Sequence, residues 1–164
     1  MSQVTQQRIL RDCDTYYIRE ARPEEVETLL KMFKKDMSSK WVDHYHNLPG
    51  KKFALIVVDK ETNQPIGGIE RVVDSENATG VGLAVLKGFR GKGIGTTLLK
   101  VMDEELKEMG VKCIATVPVS KKAAKFLKEN GYEYEEFIKA FLSATGRSNR
   151  LVYGFAAAGM ERYL

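Results

Sequence analysis

The chain has 164 residues, 43% of them apolar and 29% charged, with a formal net charge of +4. That composition excludes a disordered or bilayer-embedded chain and suits one globular domain spanning residues 1–164 with a real core. An isoelectric point near 9.0 favours a polyanionic partner, which could be a nucleic acid, a membrane surface or a multiply phosphorylated cofactor.

Residues 1–14 are polar, lack the apolar stretch of a signal peptide, and are expected to be loosely ordered. The apolar runs Phe53–Val58 and Val81–Leu86 are too short to cross a bilayer, so the chain is expected to be soluble and cytoplasmic, with no membrane partner. The two cysteines, Cys13 and Cys113, have no CxxC spacing and read as reduced thiols.

Tyr16–Arg19 reads as a first strand. Pro23 suits the first turn of a helix, where Glu24 and Glu25 complement the dipole. Val26, Leu29, Leu30, Phe33 and Met37 recur at helical spacing along one face of it. Ser38–Asn47 predicts a second, short helix ending at Pro49-Gly50. Phe53–Val58 is a continuous β-rich run, as in a strand covered on both faces. After a turn at Lys60–Gln64, Ile66–Val73 is a strand, Asp74–Gly80 a loop and Val81–Leu86 a further strand. Ile94, Leu98, Leu99, Met102, Leu106 and Met109 mark a long helix that Gly110 stops. Val111–Val117 is a strand and Ser120–Asn130 a helix closed by Gly131. Tyr132–Leu142 and Leu151–Ala156 read as a final hairpin. The order β-α-α-β-β-β-α-β-α-β-β describes an α/β chain with an α+β mixed sheet and helices against it.

The chemistry concentrates in Val81–Gly95, VGLAVLKGFRGKGIG, followed by Thr96. A strand enters a glycine-rich bend and a helix begins inside it. The unpaired N–H groups of that first turn, together with the dipole, form an anion site. Lys87, Arg90 and Lys92 have the wrong sign for a helix start unless an anion lies among them. Lys121 and Lys122 repeat the pattern after Ser120, a suitable N-cap. Read alone, these lysines are equally a solvated face; two such helix starts after strands favour a shared polyphosphate ligand. The spacing G-x-G-x-G is not the dinucleotide fingerprint, and no Gly-Lys-Ser/Thr closes a nucleoside-triphosphate loop.

Arg90-Gly91-Lys92-Gly93-Ile94-Gly95, preceded by Leu83-Ala84-Val85 and set between a strand and a long helix, resembles the Arg/Gln-x-x-Gly-x-Gly/Ala signature of the GNAT superfamily of acetyl-CoA-dependent N-acetyltransferases. The resemblance extends to the following strand, helix and Gly131-Tyr132 pair, and to the element order from Tyr16 to Ala156. It implies a GNAT-like acyl-CoA N-acyltransferase fold and acetyl-CoA as co-substrate, the acetyl group passing directly to an amine acceptor in a ternary complex. It further implies that Arg90, Gly91, Lys92, Gly93, Ile94, Gly95 and Thr96 hold the CoA pyrophosphate. Leu83, Ala84 and Val85 would offer backbone groups to the pantetheine arm, and Ser120 takes the place of an Asn that contacts it. Two family positions differ: the Tyr that protonates the departing thiolate is Leu127 here, and the acidic residue before the cofactor strand is Gly80.

A protonated amine must lose a proton before it attacks a thioester, and a carboxylate is the natural base. Glu70, in the strand beside the cofactor strand, is the candidate; a solvent-facing carboxylate or a partner for Arg71 is the structural alternative. The N–H of Val85 is the candidate for stabilising the oxyanion. Trp41, His44 and Tyr45, with His46, lie where the superfamily borders its acceptor pocket; packing of Trp41 and Tyr45, four apart on one helix, explains them equally. His44-x-His46 lacks a third metal ligand in the sequence, so no metal is expected. Two other functions stay open: a non-catalytic CoA-binding or regulatory module on the same fold, and a basic nucleic-acid-binding protein. The latter is disfavoured because RNA-stacking motifs are missing. The chain is expected to be a monomer or homodimer.

Overall fold

The computed structural model describes residues 8–134 and 160–164. The expected strand Leu151–Ala156, the turn before it and most of Tyr132–Leu142 lie outside the described residues. Strands β1 (Ile9–Asp12), β2 (Tyr16–Glu20), β3 (Lys51–Asp59), β4 (Pro65–Asp74), β5 (Asn77–Val85), β6 (Cys113–Thr116), β7 (Glu133–Tyr134) and β8 (Met160–Tyr163) form one sheet. Its order is β1-β2-β3-β4-β5-β6-β8-β7. All neighbours pair antiparallel except β5 and β6, which are parallel and joined through α3. The helices are α1 (Pro23–Phe33), α2 (Ser39–His46), α3 (Ile94–Glu108) and α4 (Lys121–Glu129).

Hydrophobic alternation sets the layers. On β3, Phe53, Leu55 and Val57 face α3 and α4, where Leu98, Leu99, Met102, Leu106 and Leu127 are buried. Ala54, Ile56 and Val58 face α1 and α2, against Leu29, Phe33, Val42 and Tyr45. Both faces of β3 are thus covered, as its unbroken apolar run requires. Two close approaches fix α1 on the sheet: a Cβ at Gly68 would lie 2.2 Å from a Leu29 methyl, and one at Gly82 would lie 2.6 Å from the Phe33 ring.

Three expectations change. Residues 9–12 are not loose: Ile9–Asp12 pairs with β2 and extends the sheet. Met37 lies beyond α1, which ends at Phe33. The segment Asp74–Gly80 is mostly strand, because Asp74 pairs with Asn77 across a two-residue turn. Ser75 takes φ 54° there, a left-handed conformation usually signalled by Gly or Asn and hence unannounced in this sequence.

The pairing of β4 with β5 shifts between Glu70 and Arg71, which oppose Gly82 and Gly80, so Val81 is the extra residue of a bulge. Side-chain phase inverts there: Ala78 faces α3 before the bulge, Val81 and Ala84 face α1 and α2, and Leu83 and Val85 return to the α3 side.

At its start α1 is fastened to β2 by Glu25. The Arg22 N–H donates to Glu25 Oε1 at 2.8 Å, and the Arg19 guanidinium donates to both carboxylate oxygens at 2.6 and 2.9 Å. The Arg19 hydrogen bond, opposed by desolvation, holds the Glu25 carboxyl below its ordinary value. A carboxyl depressed on folding stabilises the native state above the unfolded value and loses that contribution as pH falls through the folded one. Glu25→Gln should therefore cost about 2 kcal/mol at neutral pH in urea denaturation, and the gap to the parent protein should close as pH drops below 4.5, the unperturbed value.

Candidate active site

β5 and β6 are paired only at Asn77–Cys113, Ala78–Ile114 and Thr79–Ala115. Beyond that point β5 runs on to Val85 while β6 ends at Thr116, so the two strands part and leave one edge of Gly80–Val85 without a ladder partner among the described residues. The orientation of that edge follows from the β4 pairing. The Leu86 N–H donates to the Ile66 carbonyl at 2.8 Å, which makes Ile66–Leu86 a hydrogen-bonded pair. Antiparallel pairs alternate, so Ala84 and Gly82 also turn their amides toward β4. Leu83 and Val85 turn theirs into the gap. Of the three residues expected to offer backbone groups, Ala84 is thus committed to the sheet. The Val85 carbonyl is used as well, accepting from Arg90 Nε at 2.8 Å.

The bend between β5 and α3 begins with a single 3₁₀ turn, Lys87–Phe89. Gly91 and Gly93 both adopt φ 79°, and Gly93 is the N-cap of α3. Among the described residues, chain neighbours aside, no atom lies within 4 Å of a Cβ built on either glycine. These glycines are therefore required for left-handed backbone, and the space over them is open for a ligand. Gly95 differs, since its Cβ would make ordinary contact with Phe126 at 3.6 Å and Leu83 at 3.8 Å. Ile94 is buried in the core under α3, so only its backbone faces the bend. Thr96 is half-buried, while the neighbouring Thr97 hydroxyl donates to the Gly93 carbonyl at 3.1 Å and steadies the cap.

The cations divide into two groups. Arg90 is a fastener: besides holding Val85, its guanidinium reaches Asp36 Oδ2 at 3.2 Å, tying the bend to the segment after α1. Lys87, Lys92, Lys121 and Lys122 are exposed, with the Lys92 ammonium 5.8 Å from the Phe89 ring centre. Ser120 caps α4, its hydroxyl oxygen accepting from the Ala123 N–H at 3.0 Å. Its own hydroxyl proton remains available to a ligand.

The two family positions that differ are closed by packing. Leu127 is buried in the core on α4. A Cβ at Gly80 would come within 2.5 Å of Thr116 Oγ1, so no carboxylate side chain fits there without moving β6.

Glu70 is fully buried, on the α1–α2 face of β4. Its Oε1 lies 2.5 Å from Nδ1 of His46 on α2, and its Oε2 has no hydrogen-bond partner. Burial pushes its carboxyl above the ordinary range, against the opposing pull of His46 and, less, Lys52. Neither structural alternative for Glu70 holds. It does not face solvent, and Arg71 projects from the other face of the strand toward Tyr132 and Asp103, meeting Glu70 through its main-chain carbonyl at 3.2 Å rather than through the carboxylate.

Trp41, His44 and Tyr45 form one aromatic group. Trp41 stacks on Tyr45 with centroids 5.6 Å apart, and His44 meets Tyr45 edge-on at 5.2 Å. Tyr45 is buried and its phenol is pushed up to about 12, so it stays protonated. Packing therefore accounts for Tyr45, while Trp41 and His44 keep partial exposure. His44 and His46 diverge, one to the rings and the other to Glu70. Among the described residues no three His, Cys, Asp or Glu side chains gather as a metal site. The His46–Glu70 contact escapes sequence reasoning because nothing in a 24-residue separation signals it.

Residues 14–132 match the model of the acetyltransferase (GNAT) family. The chain belongs to that family. No curated protein sequence matches it significantly. The same fold is found in a GNAT family acetyltransferase of Staphylococcus aureus Mu50 (TM-score 0.69, 16% identity, 91% of this chain and 99% of the other). It recurs in the PaiA N-acetyltransferase of Thermoplasma acidophilum, solved with coenzyme A (TM-score 0.65, 17% identity, 92% and 100%). A GNAT acetyltransferase of Elizabethkingia anophelis, solved with acetyl-CoA, is a third (TM-score 0.65, 18% identity, 93% and 100%). The expected GNAT-like fold is the fold observed, with β1 added before its first strand.

The two signature glycines make different demands, and substitution separates them. Gly93→Ala places a side chain at positive φ and should destabilise the protein by about 1–2 kcal/mol. Gly95→Ala, helical and uncrowded, should be neutral or stabilise by up to about 1 kcal/mol. Urea denaturation of the two variants checks the contrast.

Proposed function

We propose that this protein is an acetyl-CoA-dependent N-acetyltransferase that passes the acetyl group to a primary amine by direct attack. The observation that carries the reading is the meeting of two features: β5 parts from β6 where its Leu83 and Val85 amides turn outward, and the strand then runs into a left-handed glycine bend capping α3. A long, polar, diphosphate-bearing thioester matches both. The residues fit such a ligand: the bend and first turn of α3, from Arg90 through Thr96, present amides to a pyrophosphate. Lys87, Lys92, Lys121 and Lys122 supply counter-charge, and Ser120 donates to the arm.

Leu83 and Val85 line the gap for the pantetheine chain, and the Val85 N–H is assigned to the carbonyl oxygen that gains charge. Trp41, His44 and the buried Tyr45 beneath them form the acceptor side, and Glu70 belongs to the path by which the amine loses its proton. The reading includes a single domain over residues 1–164, acting in the cytoplasm as a monomer or homodimer; no helix among the described residues is long and apolar enough to cross a membrane.

A non-catalytic CoA-binding module is the second reading, favoured by Leu127 in place of the proton-donating Tyr and by the closed position at Gly80. The measurements that decide are binding and turnover. Acetyl-CoA at a hundred times its Kd should stabilise the protein by about 2.7 kcal/mol in thermal denaturation, while ATP and an oligonucleotide should not. Gly93→Val should abolish that shift. Acetyl-CoA consumption with spermidine, glucosamine, kanamycin or a lysine-containing peptide distinguishes the enzyme; binding without turnover of any amine supports the module.

A further inference from the structure

A carboxyl group sealed inside a sheet–helix interface, with one oxygen lacking a hydrogen-bond partner, is costly to keep. Glu70 is such a group, and its position relative to the cleft suggests what it serves. It sits directly across from Gly82 of β5, the residue before Leu83, whose amide opens into the gap. The space that a Gly82 side chain would take is filled by the Phe33 ring of α1. Above Glu70 the last residue of α2, His46, directs Nδ1 at the carboxylate from 2.5 Å. The imidazole keeps 21% of its side-chain exposure where Glu70 keeps none. Glu70 keeps no exposed surface, so of the pair only the imidazole is in a position to exchange a proton with its surroundings.

Among the described residues the other charged group that acts on the pair is Lys52 of β3, whose ammonium is held by the Leu48 carbonyl at 2.5 Å. From α2, His44 and Tyr45 turn to Trp41.

We propose that His46, oriented by Glu70, is the catalytic residue that takes the proton from the acceptor amine. The proposal rests on the acetyltransferase reading and replaces the direct base role of Glu70 with a positioning one. A carboxylate accepting from Nδ1–H fixes the tautomer in which Nε2 carries the lone pair, and it stabilises the imidazolium that forms. The acceptor nitrogen bonds to the acetyl carbonyl carbon, the carbon–sulfur bond breaks, and its electron pair leaves on sulfur. An ammonium acceptor sheds two protons in becoming an amide. One goes to Nε2 of His46 and on to solvent; the other neutralises the CoA thiolate.

The full-length protein tests this with His46→Gln and Glu70→Gln, using acetyl-CoA and whichever amine of the panel above is turned over. His46→Gln should lower kcat by about 10²- to 10⁴-fold, leave the Kd for acetyl-CoA within twofold, and erase the acid limb of the kcat/KM–pH profile. Glu70→Gln should lower kcat less, because the ring is then loosely oriented rather than removed, and should keep the limb. The chain has two histidines, so His46→Gln also assigns the imidazole ¹⁵N signals, and Glu70→Gln should change the tautomer that the His46 ring reports. An unchanged kcat and pH profile in His46→Gln, with acetyl-CoA bound and consumed by the parent, overturns this proposal alone. Failure of the parent protein to bind or consume acetyl-CoA overturns the acetyltransferase reading and this proposal with it.

Discussion

The separation of β5 from β6 is the constraint on which the site depends. A parallel pair joined through a helix would ordinarily continue to the ends of both strands, satisfying its backbone groups in the ladder. Here the ladder stops at Thr79–Ala115. Packing makes that break tolerable: Gly80 admits Thr116 at close quarters, Val81 bulges, and the strand beyond is held from its other edge by β4 and from both faces by helices. Backbone amides that a sheet would normally consume have no ladder partner among the described residues, and the helix that follows adds its own first-turn N–H groups within a few residues. On the proposed reading, main chain alone supplies most of the binding site.

Much of this was legible in the sequence because it is written in short, local patterns. The bend Arg90–Gly95 identifies itself by glycine spacing, α3 by its heptad-like apolar residues, and β3 by an apolar run with no polar alternation. What escaped had no local mark. The turn at Ser75-Glu76 uses a left-handed serine, so the sequence around it reads as loop. The bulge at Val81 breaks the two-residue period in the segment that matters most, so the committed amide of Ala84 could not be told from those of its neighbours. Strand β1 lies in a polar terminus and owes its existence to pairing with β2. The burial of Glu70 and its meeting with His46 depend on how α2 crosses the sheet, which no spacing encodes.

Charge is distributed with a division of labour that composition alone would not suggest. Arginines in the described region act largely as ties. Arg19 binds α1 to β2, and Arg90 binds the bend to β5 and to Asp36. Arg162, from β8, meets Asp103 Oδ2 at 3.3 Å, beside the Tyr132 hydroxyl that donates to the same carboxylate. The lysines around the bend remain exposed. A guanidinium has a planar fork suited to fixing two acceptors at once, whereas an ammonium is a mobile point charge. The basic excess is therefore part scaffold and part field.

The single extra residue at Val81 also sets the reading frame of the cleft. Were that bulge ironed out into regular strand, every residue after it would rotate to the opposite face, burying the Leu83 and Val85 amides against β4 and presenting Ala84 to the gap instead. The same letters would then spell a different surface, displaced by one step of about 3.3 Å. A motif match counts residues and cannot see such a step, so chains sharing these glycines are comparable at this cleft only where they share the irregularity that precedes them.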